Sequence, residues 1–225
     1  MHLQQALTLP FDDPRWMAKL LPLVPLTFLM LLPIFGLIPL AIILGWIVTV
    51  VANIRTGVPR PLPDWRDLSR LITLGADVLL VIILAHIPLL VVFFIAGLLG
   101  ASIGATFYSL LYNVAQLCCL IPLSLVYMFV MWILIGLGVL DYSDSHKRRD
   151  LYRMRYQWDR ARAHANLISG WLIRALTVNA ACSLLCVIPI VGWVVAPVIL
   201  WPMQGILLGE MGRLLDGRAP KKKGQ

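Results

Sequence analysis

Long apolar blocks separated by short basic segments form the pattern of this chain. Residues 20–53 contain no charged side chain and no histidine. A helix needs about 20 apolar residues to cross roughly 30 Å of hydrocarbon, so this block belongs in a membrane. Because it is too long for one straight span, we expect two short helices folded into a hairpin over residues 20–54.

Proline and glycine mark the expected turns of the first and third apolar blocks. Proline removes a backbone donor, and glycine tolerates unusual dihedral angles, so their combination predicts a break in a helix. A tight hairpin turn explains both breaks; the alternative is the pair of broken helices found near the central site of transporters. The residues concerned are Pro33, Gly36 and Pro39 in the first block and Pro189, Gly192 and Pro197 in the third.

The other two blocks complete an all-α architecture. From Val78 to Leu140 the chain carries no charge other than a titratable His86, which suits a second hairpin over residues 71–140. The third block predicts a hairpin over residues 168–209. We therefore expect a single polytopic membrane domain over residues 1–225, with about six transmembrane or re-entrant helices in three hairpins.

Basic segments fill the remainder of the chain. They are an interfacial N-terminus at 1–19, a loop at 55–70, a polar stretch at 141–167 and a tail at 210–225. Apolar residues recur at helical spacing in the third segment, which predicts a basic amphipathic helix on the membrane surface. The residues expected to face the lipid surface are Arg148, Arg149, Arg153, Arg155, Trp158 and Arg160.

The distribution of charge predicts the sidedness. The chain is 60% hydrophobic and 13% charged with a net charge of +8, and all 19 Lys and Arg flank the apolar blocks, which argues against nucleic-acid binding. Odd numbers of crossings would divide the cations evenly, whereas hairpins place them all on one side, as the positive-inside rule prefers. We expect both termini in the cytoplasm, a prokaryotic cytoplasmic membrane, and contacts with anionic lipid headgroups.

His86 is the main candidate for a ligand-binding side chain. It lies near the middle of its predicted span, where an ionisable group is costly and usually functional. A ring nitrogen could ligate a haem or a chlorophyll-type pigment. The plainer interpretation is a neutral histidine hydrogen-bonded to another helix. We find no second histidine at ligand spacing, so no metal site is predicted.

Other polar side chains within the apolar blocks or at their mouths are expected to make contacts inside the membrane. Asp77 and Arg174 are candidates for an ion pair across the bundle, because an unpaired charge at that depth is costly. Tyr112 and Gln116 follow Tyr108 at four-residue spacing, with Asn113 beside them, and form a polar stripe. Such side chains commonly join membrane helices; a substrate path is the alternative.

Short motifs along most of the chain resemble one known family. They are residues 11–16 (FDDPRW), 33–36 (PIFG), 55–57 (RTG), 62–65 (LPDW) and 188–193 (IPIVGW). This combination resembles the prokaryotic membrane family called domain of unknown function 4013, with a looser likeness between residues 97 and 150. The resemblance implies a multi-helix bundle and no established activity, and it supplies no site residues.

Three functions agree with these patterns. No nucleotide-binding, metalloprotease, hydrolase or CxxC motif is present, which disfavours an enzyme. The sparse buried polarity favours a non-enzymatic accessory or scaffold subunit of a larger membrane complex, with other membrane proteins as partners. The paired helix breaks favour a transporter or a lipid-handling protein, whereas His86 alone favours a pigment- or haem-binding subunit.

Overall fold

A computed structural model describes residues 7–33, 35–103, 112–114 and 116–217. A short 3₁₀ turn at Leu9–Asp12 precedes the first helix, and a π-helical turn at Gln116–Leu120 precedes the fifth. The helices are α1 (Trp16–Leu20), α2 (Leu23–Leu29), α3 (Leu37–Thr56), α4 (Leu68–Ile103), α5 (Ile121–Ser145), α6 (Arg148–Leu151), α7 (Met154–Ala163), α8 (Ala165–Leu185) and α9 (Val191–Leu215).

The molecule is an all-α membrane bundle, which confirms the predicted fold class. Five helical stretches are long and apolar enough to span a membrane, and a shorter apolar stretch covers Trp16–Leu29. The five are α3, α4, the stretch ending with α5, α8 and α9. The connection between α4 and residue 112, which includes Tyr108, and the tail beyond residue 217 lie outside the described residues.

Glycines allow the tight turns at the uncharged end of the bundle. A side chain at Gly36 would overlap the Met30 carbonyl oxygen, and one at Gly192 would overlap the carbonyl of Leu185. These contacts close the turn before α3 and the turn between α8 and α9. Pro33 and Pro189 precede these glycines within the turns.

Pro39 and Pro197 lie elsewhere than the sequence suggested. Pro39 lies in the first turn of α3, where its missing N–H has no helical partner to lose. Pro197 lies inside α9, seven residues into a continuous helix, as does Pro202. The two helix breaks therefore end before Pro39 and before Pro197.

Helix α3 is the central element of the core. Its Ile43, Trp46 and Val50 are completely buried, and α4, α5 and α9 all pack against it. Small residues permit these contacts: Gly45 faces Leu71 and Gly75 of α4, and a side chain at Gly75 would overlap the Ala41 carbonyl oxygen. The α3–α4 contact is therefore a backbone-to-backbone approach of the kind that small residues allow in membranes.

Basic segments from different parts of the chain meet at one end of the bundle. Lys19 donates to the Leu62 carbonyl of the loop between α3 and α4, and Arg55 donates to the Leu140 carbonyl of α5. Arg160 of α7 pairs with Asp216 after α9. The first apolar block thus leaves this end through α1 and α2 and returns through α3.

The prediction of one amphipathic helix over residues 141–167 is wrong. Helix α5 continues to Ser145 and ends at His146, whose φ of 54° lies in the left-handed region. The short α6 and α7 then fold back on α5, and Gln157 of α7 is completely buried against Gly138. Helix α7, with ten residues, is the longer of the two basic helices in this stretch.

We expect a larger side chain at Gly75 to force α3 and α4 apart. Gly75→Val should lower the stability of the protein by about 1–3 kcal/mol, as overpacking does in other cores. Gly97→Val on the same helix is the matched control, because a side chain at Gly97 meets open space. Thermal unfolding in detergent measures both; equal midpoints for the two variants would contradict the close contact.

Candidate functional site

Among the described residues, two regions of the bundle are candidates for a functional site. One is a layer of ion pairs at the basic end. The other is an apolar groove among α4, α5 and α8 that contains His86. The first determines how the helices are held, and the second has the shape of a binding site.

Arg55 is the centre of the ion-pair layer. Its side chain is 3% exposed, and Nη2 lies 2.7 Å from Asp144 and 2.5 Å from Asp216. Nη1 donates to the Leu140 carbonyl and, at 3.2 Å, to the Ser143 hydroxyl. One guanidinium therefore ties the C-terminal ends of α3, α5 and α9, which suits the planar fork of donors that arginine presents.

Arg160 extends the same layer to α7. It lies 2.7 Å from Asp141 and 3.4 Å from Asp216, and its side chain is 14% exposed. Arg160 therefore belongs to the charged layer and not to the lipid-facing surface predicted from the sequence. Asp216 is shared between Arg55 and Arg160, so the two arginines form one network.

Asp77 pairs with a different arginine from the one expected. Its carboxylate lies 2.7 Å from Nε of Arg148 and accepts a hydrogen bond of 2.8 Å from the Tyr142 hydroxyl. Arg174 is exposed on α8 and is not its partner. The expected Asp77–Arg174 pair is therefore wrong, because the turn after α5 brings Arg148 to the start of α4.

A second buried pair fixes the N-terminal segment. Lys19 Nζ lies 2.8 Å from Asp13, and both residues are buried. Burial alone would raise the pKa of Asp13, but the hydrogen bond and charge of Lys19 hold that pKa below its ordinary value. The Trp65 indole donates to the Lys19 carbonyl, so the loop before α4 covers this pair.

The remaining arginines of the predicted surface are exposed, and one of them contacts an aromatic ring. Arg149 and Arg155 are exposed, and the Arg153 guanidinium lies 4.7 Å from the ring centre of Tyr156. Arg162 stacks in the same way on Trp158, at 4.9 Å. Arginine and aromatic side chains in this arrangement are typical of the headgroup region.

The groove lies within the membrane-spanning part and has a volume of about 480 Å³. His86 and Asn179 are polar side chains on its wall, and Trp132, whose indole carries an N–H, lines it as well. A tilted contact of Trp132 with Trp171, with ring centres 5.6 Å apart and an angle of 55° between the ring planes, joins α5 to α8 beside the groove. The residues lining the groove are Ile82, His86, Leu125, Met128, Phe129, Trp132, Ile135, Leu176 and Asn179.

The structure fixes one nitrogen of His86. Nδ1 lies 2.7 Å from the Ile82 carbonyl oxygen, which only accepts hydrogen bonds, so Nδ1 carries the hydrogen. The imidazole ring meets the Tyr127 ring edge-on, with centres 6.4 Å apart, and the Tyr127 hydroxyl donates to the Ala85 carbonyl. The ring is thus held between α4 and α5.

The predicted polar stripe makes contacts near the uncharged end. The Tyr112 hydroxyl donates to the Ala96 carbonyl of α4, and Gln116 donates to the Tyr112 oxygen at 2.5 Å. The first bond joins two helical segments, which agrees with the plainer of the two interpretations, and the second lies within one segment. Asn113 is exposed beside them.

Two important residues could not be found by sequence reasoning. In the sequence, Arg55 is one of several cations that lie next to an apolar block. Asn179 is one of several neutral polar residues in the third apolar block. A possible signal for Arg55 was its position where a helix enters the headgroup region. Among the described ranges, no three His, Cys, Asp or Glu side chains lie close enough to hold a metal ion.

Comparisons with known proteins found no match to a family model, a curated protein or a solved structure. The resemblance to domain of unknown function 4013 therefore stays a prediction. Function must be argued from the geometry of this chain.

Loss of Arg55 should have a large effect on stability. Arg55→Gln would remove the buried guanidinium that bonds Leu140 and Ser143 and pairs with the partly solvated Asp144 and Asp216; loss of hydrogen bonds to a charged group costs about 1.5–3 kcal/mol. Arg149→Gln is the matched control, because Arg149 is exposed and surface changes usually stay within about 0.5 kcal/mol. The test compares the unfolding midpoints of the two variants in detergent. A similar small change in both midpoints would contradict the central role of Arg55.

Proposed function

We propose that this integral membrane protein binds a largely apolar molecule from the bilayer in the groove among α4, α5 and α8. The single observation that supports the proposal is the groove itself, which combines apolar walls with His86 and Asn179. Among the functions that the sequence leaves open, lipid handling and pigment or haem binding both call for a cavity at His86, whereas an accessory subunit does not. The geometry therefore favours lipid handling over a purely structural role.

The groove has the dimensions and chemistry of a binding site. Ligand sites usually measure about 300–1,000 Å³ and combine apolar walls with a few polar groups that orient the ligand. A volume of about 480 Å³ falls in this range. Apolar side chains at its edge, such as Leu125 and Met128, are exposed, so a molecule dissolved in the bilayer reaches the groove from the side.

Filling the groove should displace its ligand. We expect Leu176→Trp to reduce binding of a bound lipid by about tenfold, the effect of roughly 1.4 kcal/mol of steric conflict. Ile173→Trp is the matched control, because Ile173 lies one turn away on α8, is 64% exposed and does not line the groove. Mass spectrometry of lipids retained after mild extraction measures the difference.

The same lipids at the same occupancy in both tryptophan variants would contradict binding in the groove. A coloured protein whose visible absorbance disappears in a His86 variant would favour instead the pigment- or haem-binding function. Both results come from the same preparation.

A second candidate function is that of a subunit in a larger membrane assembly. The apolar window of α4 is 17% buried inside the bundle, compared with 56% for α3. Its distal half is the most exposed, with Leu90 at 63% and Phe94 at 67%. A helix of 36 residues is about 54 Å long, far more than the roughly 30 Å of hydrocarbon. Contact with another membrane protein would cover this face.

A photo-crosslinking residue placed at Phe94 should capture a second membrane protein in native membranes. The same residue at Leu21, which is 61% exposed between α1 and α2, is the control for random encounters. Equal capture at the two positions, or lipid adducts alone, would count against the assembly.

We further propose the location and orientation that the charge pattern favours. The cations at one end of the bundle support a cytoplasmic position for that end and for both termini, in a prokaryotic cytoplasmic membrane. Arginines around Tyr156 and Trp158 support contact with anionic headgroups.

A further inference from the structure

The chemical class of the groove ligand follows from the hydrogen-bonding state of His86. Because Nδ1 donates to the Ile82 carbonyl, Nε2 is the nitrogen that remains for a ligand. In a neutral imidazole that nitrogen is an acceptor. Its partner must therefore be a hydrogen-bond donor.

The surroundings favour a neutral ligand. Within the described residues, none of those lining the groove besides His86 carries a titratable charge, and most are aliphatic or aromatic. An isolated charge in such a place would be costly on either partner. This argument excludes a phosphate or an ammonium group from the polar end of the groove.

Asn179 and Trp132 add the complementary groups. Nδ2 of Asn179 donates to the Ala175 carbonyl at 2.9 Å, which leaves the amide a second N–H and its Oδ1. The Trp132 indole is a donor only. A group that donates to Nε2 and accepts from an N–H satisfies this set, whereas a ketone or an ester can only accept.

We propose that the ligand is a neutral lipid carrying a hydroxyl group, which donates to Nε2 of His86 and accepts from Asn179 or Trp132. This inference rests on the proposed function and names the class of molecule bound at the same groove. The edge-on contact with Tyr127 and the Ile82 hydrogen bond hold the imidazole in place before the ligand arrives. Aromatic walls at Phe129 and Trp132 favour a hydroxyl attached to a flat ring.

A pair of probes that differ by one methyl group tests the inference. The full chain in lipid nanodiscs is titrated with para-dodecylphenol and with para-dodecylanisole, in which the hydroxyl is methylated. We expect the phenol to bind about tenfold more tightly, because the anisole leaves Nε2 without a donor. This comparison uses the unaltered protein and does not depend on the folding of any variant.

Variants then assign the preference to His86. In the His86→Phe variant, both probes should bind with the affinity that the anisole has for the unaltered protein. The matched control is His164→Phe, a change at an exposed histidine outside the groove, which should still bind the phenol more tightly than the anisole. Asn179→Leu should reduce this preference in part. Unfolding midpoints of the variants show that the fold is kept.

The outcomes separate the inference from the proposed function. Equal binding of the two probes, with both displaced by Leu176→Trp, would overturn the hydroxyl inference and leave binding in the groove intact. Equal weakening of both probes by His86→Phe would also overturn it, because His86 would then only shape the wall. The proposed function and the inference would both be overturned if the probes did not saturate the protein, or if Leu176→Trp left the affinity of both probes unchanged.

Discussion

A guanidinium taken out of water needs carboxylates beside it, and Arg55 imposes this requirement on the bundle. Its partners come from residues far along the chain, Asp144 after the main part of α5 and Asp216 after α9. Because a buried charge without a partner is costly, the ends of three helices are fixed relative to one another. Arg160 then ties the short α7 to the same layer through Asp216. The charged end of the molecule is thus defined by electrostatics and not by apolar packing.

Away from this charged layer, close backbone contacts hold the helices together. Gly45 and Gly75 bring α3 against α4, and Gly205 and Gly209 bring α9 against Val50 and Ile54 of α3. Without a hydrophobic driving force between helices in lipid, such contacts supply much of the association energy. Helix α8 packs mainly on α9, so a space remains between it and the pair α4 and α5. The groove exists because α4 and α9 pack closely on α3 through small residues, whereas α8 does not pack on α3.

The sequence was sufficient for the helical membrane fold and for the positions of two turns. Runs without charge define the spans, and glycine is required where the chain reverses at Gly36 and Gly192, so these features depend on local chemistry. The partner of Asp77 could not be predicted in the same way. It depends on where α5 ends, and α5 ends at His146 in a left-handed conformation that costs energy for a residue other than glycine. The predicted single helix over residues 141–167 was wrong for the same reason.

Candidate site residues divide along similar lines. His86 was found because an ionisable side chain in an apolar span is unusual by itself. Asn179 was missed because a neutral amide in a helix is common, and its importance comes from the helix that faces it. Composition reveals rare residues, whereas the pairing of ordinary ones is known only from the tertiary structure.

The ion pairs seen in the described residues all lie at one end of the molecule. The two ends consequently differ in stiffness. At the uncharged end, α4 and α8 can move apart without separating any of these opposite charges, and the energy needed is that of exchanging one set of apolar neighbours for lipid chains. Salt should therefore weaken the charged layer, where the ion pairs lie, more than the apolar walls of the groove.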